Sequence, residues 1–122
     1  MSVAFHEKPE YAHFVVTGLA TPRELTEAMA KYYAAYRPKL VLWDFSGASL
    51  SGMSPDSFDG LIATSKRFTE VRGPGARTAV LVNAEIEKIL VGAYAAFAEE
   101  VVGVEYQTFF VLADAEAWLL ET

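Results

Sequence analysis

The chain of 122 residues contains no cysteine, and only ten of its residues are lysine or arginine. The absence of thiols excludes disulfide bonds, thiolate metal ligands and a cysteine nucleophile. Sixteen aspartates and glutamates give the chain a formal net charge of −6. Nucleic acids and anionic membranes are both bound through clustered lysine and arginine. We therefore expect neither of them as a partner.

Long apolar runs are also missing from the sequence. The longest one, residues 89–98, has about half the length that a membrane span requires. The amino terminus lacks the basic segment and the apolar run of a signal peptide, so we expect a cytoplasmic protein without a membrane span. Hydrophobic residues nevertheless make up 52% of the chain, which is ample for a packed core. The length predicts a single domain over residues 1–122.

Strand and helix patterns alternate along the chain. Runs rich in β-branched and aromatic residues predict strands at residues 3–6, 11–17, 40–45, 76–82 and 105–112. Capping signals predict four helices that begin near Thr21, Ser54, Asn83 and Asp114. The order ββαβαβαβα predicts an α/β fold with a mixed five-stranded sheet, in which the first strand is an antiparallel edge.

Helical spacing predicts the inward face of each helix. In the first helix this face is Leu25, Ala28, Met29, Tyr32 and Tyr36. In the third helix it is Ile86, Ile89, Leu90, Ala93, Tyr94 and Phe97. The third helix has more apolar residues than the stripe of about 100° that one buried face requires. The excess indicates a self-association surface, a docking surface, a crowded core, or an apolar pocket formed by Tyr32, Tyr36, Leu90, Tyr94 and Phe97.

The junction after the central strand is the main candidate site. The strand ends in the acid Asp44, and a polar loop rich in serine and glycine, residues 46–56, follows it. In open α/β sheets, ligands and partners bind beyond the carboxyl ends of the strands. We therefore expect Asp44, Ser51 and Ser54 to form a partner-binding surface. The structural alternatives are a helix cap at Ser54 and an Asp44 carboxylate that accepts backbone N–H groups of the loop.

No catalytic constellation emerges from the residue types. His6 and His13 are the only histidines, and both lie in the predicted first hairpin, away from Asp44 and the loop serines. Without a nearby base, no hydroxyl is an activated nucleophile. A zinc site needs at least three ligands, and no third ligand accompanies the two histidines. We therefore expect no catalytic residue, no metal and no cofactor.

Four basic residues lie near the turn at residues 72–75. They indicate either a phosphate-binding loop or a solvated face, and the second is favoured because the turn lacks the length and the Lys-Ser/Thr of a P-loop. These residues are Lys66, Arg67, Arg72 and Arg77.

Three segments together resemble the SpoIIAA-like family of STAS-type domains. They are Val41-Leu-Trp-Asp-Phe45, Arg77-Thr-Ala-Val-Leu-Val82 with the following helix that contains Ala93-Tyr94 and Ala96, and Phe109-Phe110 through Asp114-Ala-Glu-Ala-Trp-Leu119. The resemblance covers nearly the whole chain. It implies a STAS-like fold and a non-enzymatic regulatory module that docks a protein partner through residues 46–56 and the adjoining helix. Relatives of the fold include lipid-carrying domains, which implies a carrier or sensor of a small apolar ligand or lipid as the alternative.

The chain departs from the family pattern at the phosphorylation site. STAS domains of the anti-sigma factor antagonist type carry Asp-Ser-Ser-Gly at the start of the second crossover helix, where a partner kinase phosphorylates one serine. This chain has Leu50-Ser-Gly-Met-Ser-Pro-Asp-Ser57 instead. Ser54 lies nearest the helix start, where a phosphate would meet free N–H groups. Ser54 is therefore the candidate phosphosite, ahead of Ser51.

Overall fold

The computed structural model describes residues 1–121 as a five-stranded sheet with helices on both faces. The strands are β1 (Ser2–Glu7), β2 (Ala12–Leu19), β3 (Leu40–Ser49), β4 (Arg77–Leu81) and β5 (Glu105–Phe109). The helices are α1 (Pro22–Tyr36), α2 (Phe58–Arg67), α3 (Thr69–Arg72), α4 (Glu85–Val102) and α5 (Leu112–Leu119). The strands follow one another across the sheet in chain order, with β1 antiparallel to β2 and all other neighbours parallel. The predicted α/β class and the antiparallel first strand are confirmed.

The sheet separates two unequal hydrophobic layers. On one face, the alternate residues of β2, β3 and β4 pack against α1, α2 and α4, with Trp43 stacked on Phe14 at a ring-centroid distance of 4.3 Å. On the other face, Leu42 and Leu81 pack against Leu119 of α5. The central strand is thus buried on both sides, which is why residues 40–45 form a nearly continuous apolar run.

Helix α1 begins at the predicted cap. The Thr21 hydroxyl accepts the N–H of Glu24 at 3.3 Å and donates to the Glu24 carboxylate at 3.0 Å. A proline occupies the first helical turn, where its missing N–H has no partner to lose. The helix ends at Tyr36, and Arg37 follows in the left-handed conformation with φ 50°.

The inward face of α1 includes a tyrosine that the helical spacing did not select. Tyr33 is buried, and its hydroxyl accepts the indole N–H of Trp43 at 3.0 Å. Tyr36, which we expected inside, is 48% exposed. Tyr32 and Tyr36 lie instead against Phe5 of the edge strand, with ring centroids 4.7 and 4.4 Å away. Tyr32 and Phe5 also pack against the main core, as predicted for Tyr32, so only Tyr36 departs from the predicted inward face.

Strands β2 and β3 are both longer than the sequence pattern predicts. Gly18, expected to end β2, adopts φ 82° within the strand, a conformation open to glycine. β2 therefore reaches Leu19, and β3 continues past Phe45 to Ser49, where it pairs with Leu19. The prediction that residues 46–56 form one loop is therefore wrong for its first four residues.

Helix α4 begins at Glu85, near the predicted start at Asn83, whereas α2 and α5 begin at other residues than predicted. Ser54 is the N-cap, as predicted, but of a single 3-10 turn, Pro55–Ser57, and α2 itself begins only at Phe58. The 3-10 turn is closed by a hydrogen bond from the Ser57 N–H to the carbonyl of Ser54, at 2.9 Å. After β5, helix α5 begins at Leu112, two residues before the predicted cap.

Helix α4 is rotated relative to the predicted orientation. Its buried residues are Ala95, Ala98 and Val102, while Leu90 and Tyr94 are half-buried. Several large residues that we expected inside are exposed, namely Ile86, Ile89 and Phe97. The small alanines allow the helix to lie close to the layer below, where larger side chains would not fit. In residues 1–121, no helix has both the length and the apolar composition to cross a bilayer.

Candidate functional site

Strand β3 projects beyond its neighbour β4 at the carboxyl edge of the sheet. Pairing between these strands ends where Asp44 lies opposite Leu81, whereas β3 continues to Ser49 beside β2 alone. The side-chain amide of Asn83, just after β4, donates to the carbonyl of Ser46 and holds the projecting part. We call residues 45–49 the β3 overhang. It forms an anchored base for the turn that follows.

Ser51 and Ser54 are both exposed in the turn after the β3 overhang. The turn is fixed at its start by Leu50, whose side chain is buried. The hydroxyl oxygens of Ser49 and Ser51 lie 2.9 Å apart, and the N–H of Ser54 donates to the Ser57 hydroxyl at 3.4 Å. Both serines of the expected partner-binding surface are thus exposed, on a turn with internal hydrogen bonds.

Asp44 orders the beginning of the β3 overhang. Its Oδ1 accepts the N–H of Ser46 at 2.8 Å and the Ser46 hydroxyl at 2.6 Å, which is the structural role that its position suggests. Its Oδ2 lies 3.8 Å from Nε2 of His13. The expectation that neither histidine lies near Asp44 is therefore wrong for His13. Parallel pairing sets His13 opposite Leu42, on the same sheet face as Asp44.

His13 is a buried imidazole without a hydrogen bond at one nitrogen. Within residues 1–121, its Nε2 has no hydrogen-bond partner. Burial lowers the pKa of His13 below its usual 6.5, nearby Lys8 lowers it further, and Asp44 partly opposes both effects. The carboxylate of Asp44 lies between the imidazole and the Ser46 hydroxyl. Activation of a serine requires the base beside the hydroxyl, so this order does not form a nucleophile–base pair.

The two histidines are cross-strand partners. His6 of β1 pairs with His13 of β2, and their ring centroids are 6.0 Å apart. In the part of the chain that the structure describes, no three histidine, aspartate or glutamate side chains are grouped to hold a metal ion.

We expect the buried His13 to make folding sensitive to mild acid. Because the pKa of His13 is lowered in the folded state, the unfolded chain binds a proton more readily. Its contribution to stability is therefore complete above the unfolded pKa of about 6.5 and declines as the pH falls towards the folded value. Urea unfolding between about pH 5 and pH 7.5 measures this slope.

Two variants assign the pH dependence to one histidine. His13→Gln should remove this part of the slope, whereas His6→Gln, at an exposed position, should retain most of it, because burial is the largest cause of the lowered pKa of His13 and His6 only a minor one. A His13→Gln profile that is parallel to that of the unmodified chain would contradict the assignment.

An apolar cavity of about 90 Å³ lies between the sheet and helices α1, α2 and α4. Two of the five residues expected to form an apolar pocket line this cavity. Leu90 and Tyr94 line the cavity, together with Tyr33, Trp43 and Phe45. The other three of the expected set lie outside it, namely Tyr32, Tyr36 and Phe97.

Hydroxyl groups in the cavity wall pair with other residues of the wall. The Tyr33 hydroxyl accepts from Trp43, and the hydroxyls of Ser65 and Tyr94 lie 3.1 Å apart. Burial raises the pKa of both Tyr33 and Tyr94, so both phenols are neutral near pH 7. The cavity is therefore an uncharged space with few free polar groups.

Arg72 is buried and does not belong to a solvated basic face. Only 4% of the residue is exposed. Its guanidinium donates to the carbonyls of Pro38, Lys39 and Arg77 and to the Thr78 hydroxyl, at distances of 2.9 to 3.0 Å. Because these four acceptors occupy the N–H groups of the guanidinium, it is not available to bind a phosphate.

The other basic residues do not gather around Arg72. Arg77 lies on the α5 side of the sheet, where its Nε is 3.2 Å from the Glu105 carboxylate and its Nη1 donates to the carbonyl of Trp118 at 2.8 Å. Lys66 and Arg67 are exposed at the end of α2. The sequence-adjacent cluster is therefore dispersed in space.

Neither a model of a known protein family nor a curated protein sequence matches the chain. Solved structures with a similar fold include the following two. One is an uncharacterized protein of the DUF3478 family with a SpoIIAA-like fold from Shewanella loihica PV-4, with a TM-score of 0.62 and 17% identity. The other is an anti-sigma factor antagonist from Mycobacterium paratuberculosis, with a TM-score of 0.66 and 14% identity.

Each comparison covers 97% of this chain and 92% of the solved chain. The likeness therefore extends over the whole sheet and its helices. It confirms that the chain has the SpoIIAA-like fold that the three sequence segments predict.

Proposed function

We propose that the chain is a non-enzymatic regulatory module that binds a protein partner through residues 46–56 and the start of α2. The observation that carries this proposal is the β3 overhang, which presents the exposed Ser51 and Ser54 beyond the edge of the sheet. The fold shared with an anti-sigma factor antagonist supports a role in regulation by protein contact.

The proposed docking surface is ordered by contacts within the chain. The Asp44 carboxylate holds Ser46, the Asn83 amide holds the Ser46 carbonyl, and Leu50 is buried beneath the turn. A partner that binds an already ordered segment loses little conformational entropy from it. Because the Asp44 carboxylate already accepts hydrogen bonds from Ser46, docking is favoured over catalysis at this edge of the sheet.

We further propose Ser54 as the site through which docking is regulated. Phosphorylation of a serine adds a charge of about −1.5 to −2 near neutral pH. The exposed Asp56 already stands in the turn that follows Ser54. A phosphate there would add to this negative charge and repel an acidic partner surface. Modification of Ser54 would therefore release such a partner.

Site-specific photo-crosslinking in the cells that produce the protein tests this docking surface. A photoreactive p-benzoylphenylalanine at Ser54 should form an adduct with one main protein partner. The same residue at Ala117, exposed on α5 on the opposite side of the sheet, should not capture that protein. Equal capture from both positions, or no protein adduct at Ser54, would overturn the proposal.

The variant Ser54→Ala then tests whether Ser54 contacts the partner or only caps the helical turn. We expect about tenfold weaker binding of the captured protein, equal to about 1.4 kcal/mol. The free energy of unfolding should change by no more than about 1 kcal/mol, the typical effect of losing a helix cap. Ser2→Ala, at an exposed serine of the edge strand, is the matched control and should leave binding unchanged. Unchanged binding by Ser54→Ala would show that Ser54 is only a structural residue.

A second candidate function is the carriage or sensing of a small apolar ligand, and the apolar cavity favours it. At about 90 Å³ the cavity is smaller than the volume of about 150 Å³ that accommodates benzene in a protein core. A lipid would require α2 and α4 to move apart, so docking ranks first. Native mass spectrometry of freshly purified protein distinguishes the two, because a carrier would show a reproducible added mass.

A further inference from the structure

The outer face of α4 carries a row of large apolar side chains. Ile86 is 73% exposed, Ile89 62%, Phe97 59% and Val101 48%, so residues 1–121 leave them largely uncovered. With the small Ala93 between them, their spacing places them along one side of the helix. We call these five residues the outer stripe. Contiguous exposed apolar patches of this kind mark interaction sites on proteins.

The length of the outer stripe suits a helical partner. At 1.5 Å per residue, the distance from Ile86 to Val101 is about 22 Å, or about four helical turns. Anchors that repeat along one side of a helix are typical of surfaces that bind a second helix lengthwise. Ala93 is exposed and short, so it leaves a shallow space between Ile89 and Phe97 for a side chain of the partner.

The charges of α4 identify the kind of helix that fits. Two of its four glutamates have structural roles: Glu87 accepts backbone N–H groups before the helix, and Glu99 accepts the N–H of Tyr106. Glu85 and Glu100 are exposed, and in the described residues no ion pair involves either of them. These two carboxylates stand near opposite ends of the outer stripe. The one cation of α4, Lys88, lies over the Phe110 ring, with its ammonium 5.1 Å from the ring centroid, so the charge that flanks the outer stripe is negative.

This charge pattern disfavours a second copy of the chain as the occupant. In an antiparallel pair of α4 helices, Glu85 of one copy would approach Glu100 of the other, and the net charge of −6 on each chain adds to the repulsion. An anionic membrane would be repelled for the same reason.

We infer that the outer stripe binds an amphipathic helix of a protein partner, about four turns long, with apolar residues on one face and lysine or arginine near both ends. The apolar face covers the outer stripe, and the cations pair with Glu85 and Glu100. This surface shares no residue with residues 46–56, so the inference goes beyond the proposed function and does not depend on it.

The experiment uses two synthetic helical peptides of about 18 residues. One has leucines at helical spacing and lysines elsewhere, and the other has the same leucines with glutamates in place of the lysines. We expect the lysine peptide to bind the full chain and the glutamate peptide to bind at least about tenfold more weakly. Fluorescence anisotropy of a labelled peptide at several salt concentrations measures both affinities.

Variants locate the bound peptide. Ile89→Ser combined with Phe97→Ser should weaken binding of the lysine peptide at least about tenfold and leave the unfolding midpoint nearly unchanged, because both side chains are exposed. Glu85→Lys combined with Glu100→Lys should reverse the preference between the peptides. Leu120→Ser, which removes a partly exposed leucine just after α5, is the control and should leave binding unchanged.

Three results would overturn the inference. The first is equal binding of both peptides, and the second is lysine-peptide binding that the Ile89/Phe97 variant leaves intact. The third is a dimer, seen by sedimentation, that this variant converts to monomers, because a second copy would then occupy the outer stripe. Each of these results leaves the crosslinking outcome at Ser54 unaffected, so the two proposals fail separately.

Discussion

Arg72→Leu is expected to lower the free energy of unfolding by about 3–5 kcal/mol, because four acceptors lose the guanidinium donor at once. The guanidinium of Arg72 donates to three backbone carbonyls and to the Thr78 hydroxyl, and it thereby joins α3, the segment before β3 and the start of β4. Leucine offers no donor, so buried acceptors lose their partner at about 1–3 kcal/mol each. Urea unfolding followed by circular dichroism measures the change.

Two comparisons separate the hydrogen bonds of Arg72 from its charge. Arg72→Lys keeps the charge but replaces a planar fork of five donors by a single ammonium group, so we expect it to recover only part of the loss. Lys66→Leu removes an exposed cation from the same helical region and should change stability by less than about 0.5 kcal/mol. If Arg72→Leu unfolds at the same urea concentration as Lys66→Leu, the network of Arg72 does not stabilise the fold.

Leu90→Asp is expected to lower the free energy of unfolding by about 3 kcal/mol or more near neutral pH. Leu90 lines the apolar cavity, where a carboxylate would lose hydration without gaining a cation. The loss should be smaller at about pH 4, because a protonated aspartate is uncharged. Thermal and urea unfolding at the two pH values give both results.

The neighbouring residue is a matched control for Leu90. Ile89 is 62% exposed, so Ile89→Asp should change the free energy of unfolding by less than about 0.5 kcal/mol. Equal losses from the two variants would mean that α4 does not turn Leu90 towards the cavity and Ile89 towards the solvent. The pair therefore tests the rotation of α4 on which both the cavity and the outer stripe depend.

Local signals in the sequence predict the order and type of the main elements. Thr21 and the following proline fix the start of α1 because a cap satisfies N–H groups within one turn. The apolar run before Asp44 predicts a strand buried on both faces, since such a strand needs apolar residues at every position. The exposed positions of Ser51 and Ser54 also follow from a polar run beyond a strand end. None of these features requires knowledge of distant contacts.

Features set by distant neighbours are not evident from the sequence. The sequence favours Arg72 as one of four solvated cations. In the structure, two of its acceptors lie on a segment more than thirty positions earlier in the chain, which the sequence does not reveal. His13 comes near Asp44 only because β2 and β3 pair in parallel. The end of β3 likewise depends on the partner strand, since residues 46–49 are strand only through hydrogen bonds to β2.

The sequence by itself determines that alternating strands and helices form a SpoIIAA-like sheet with a polar turn beyond Asp44, because these features depend on residue type and local spacing. The tertiary structure decides which side of α4 faces inward, how far β3 projects and which cation is buried. Each of these depends on how neighbouring elements pack and pair: two small alanines turn α4 so that its larger side chains face outward, and the extended β2 carries β3 past the end of β4.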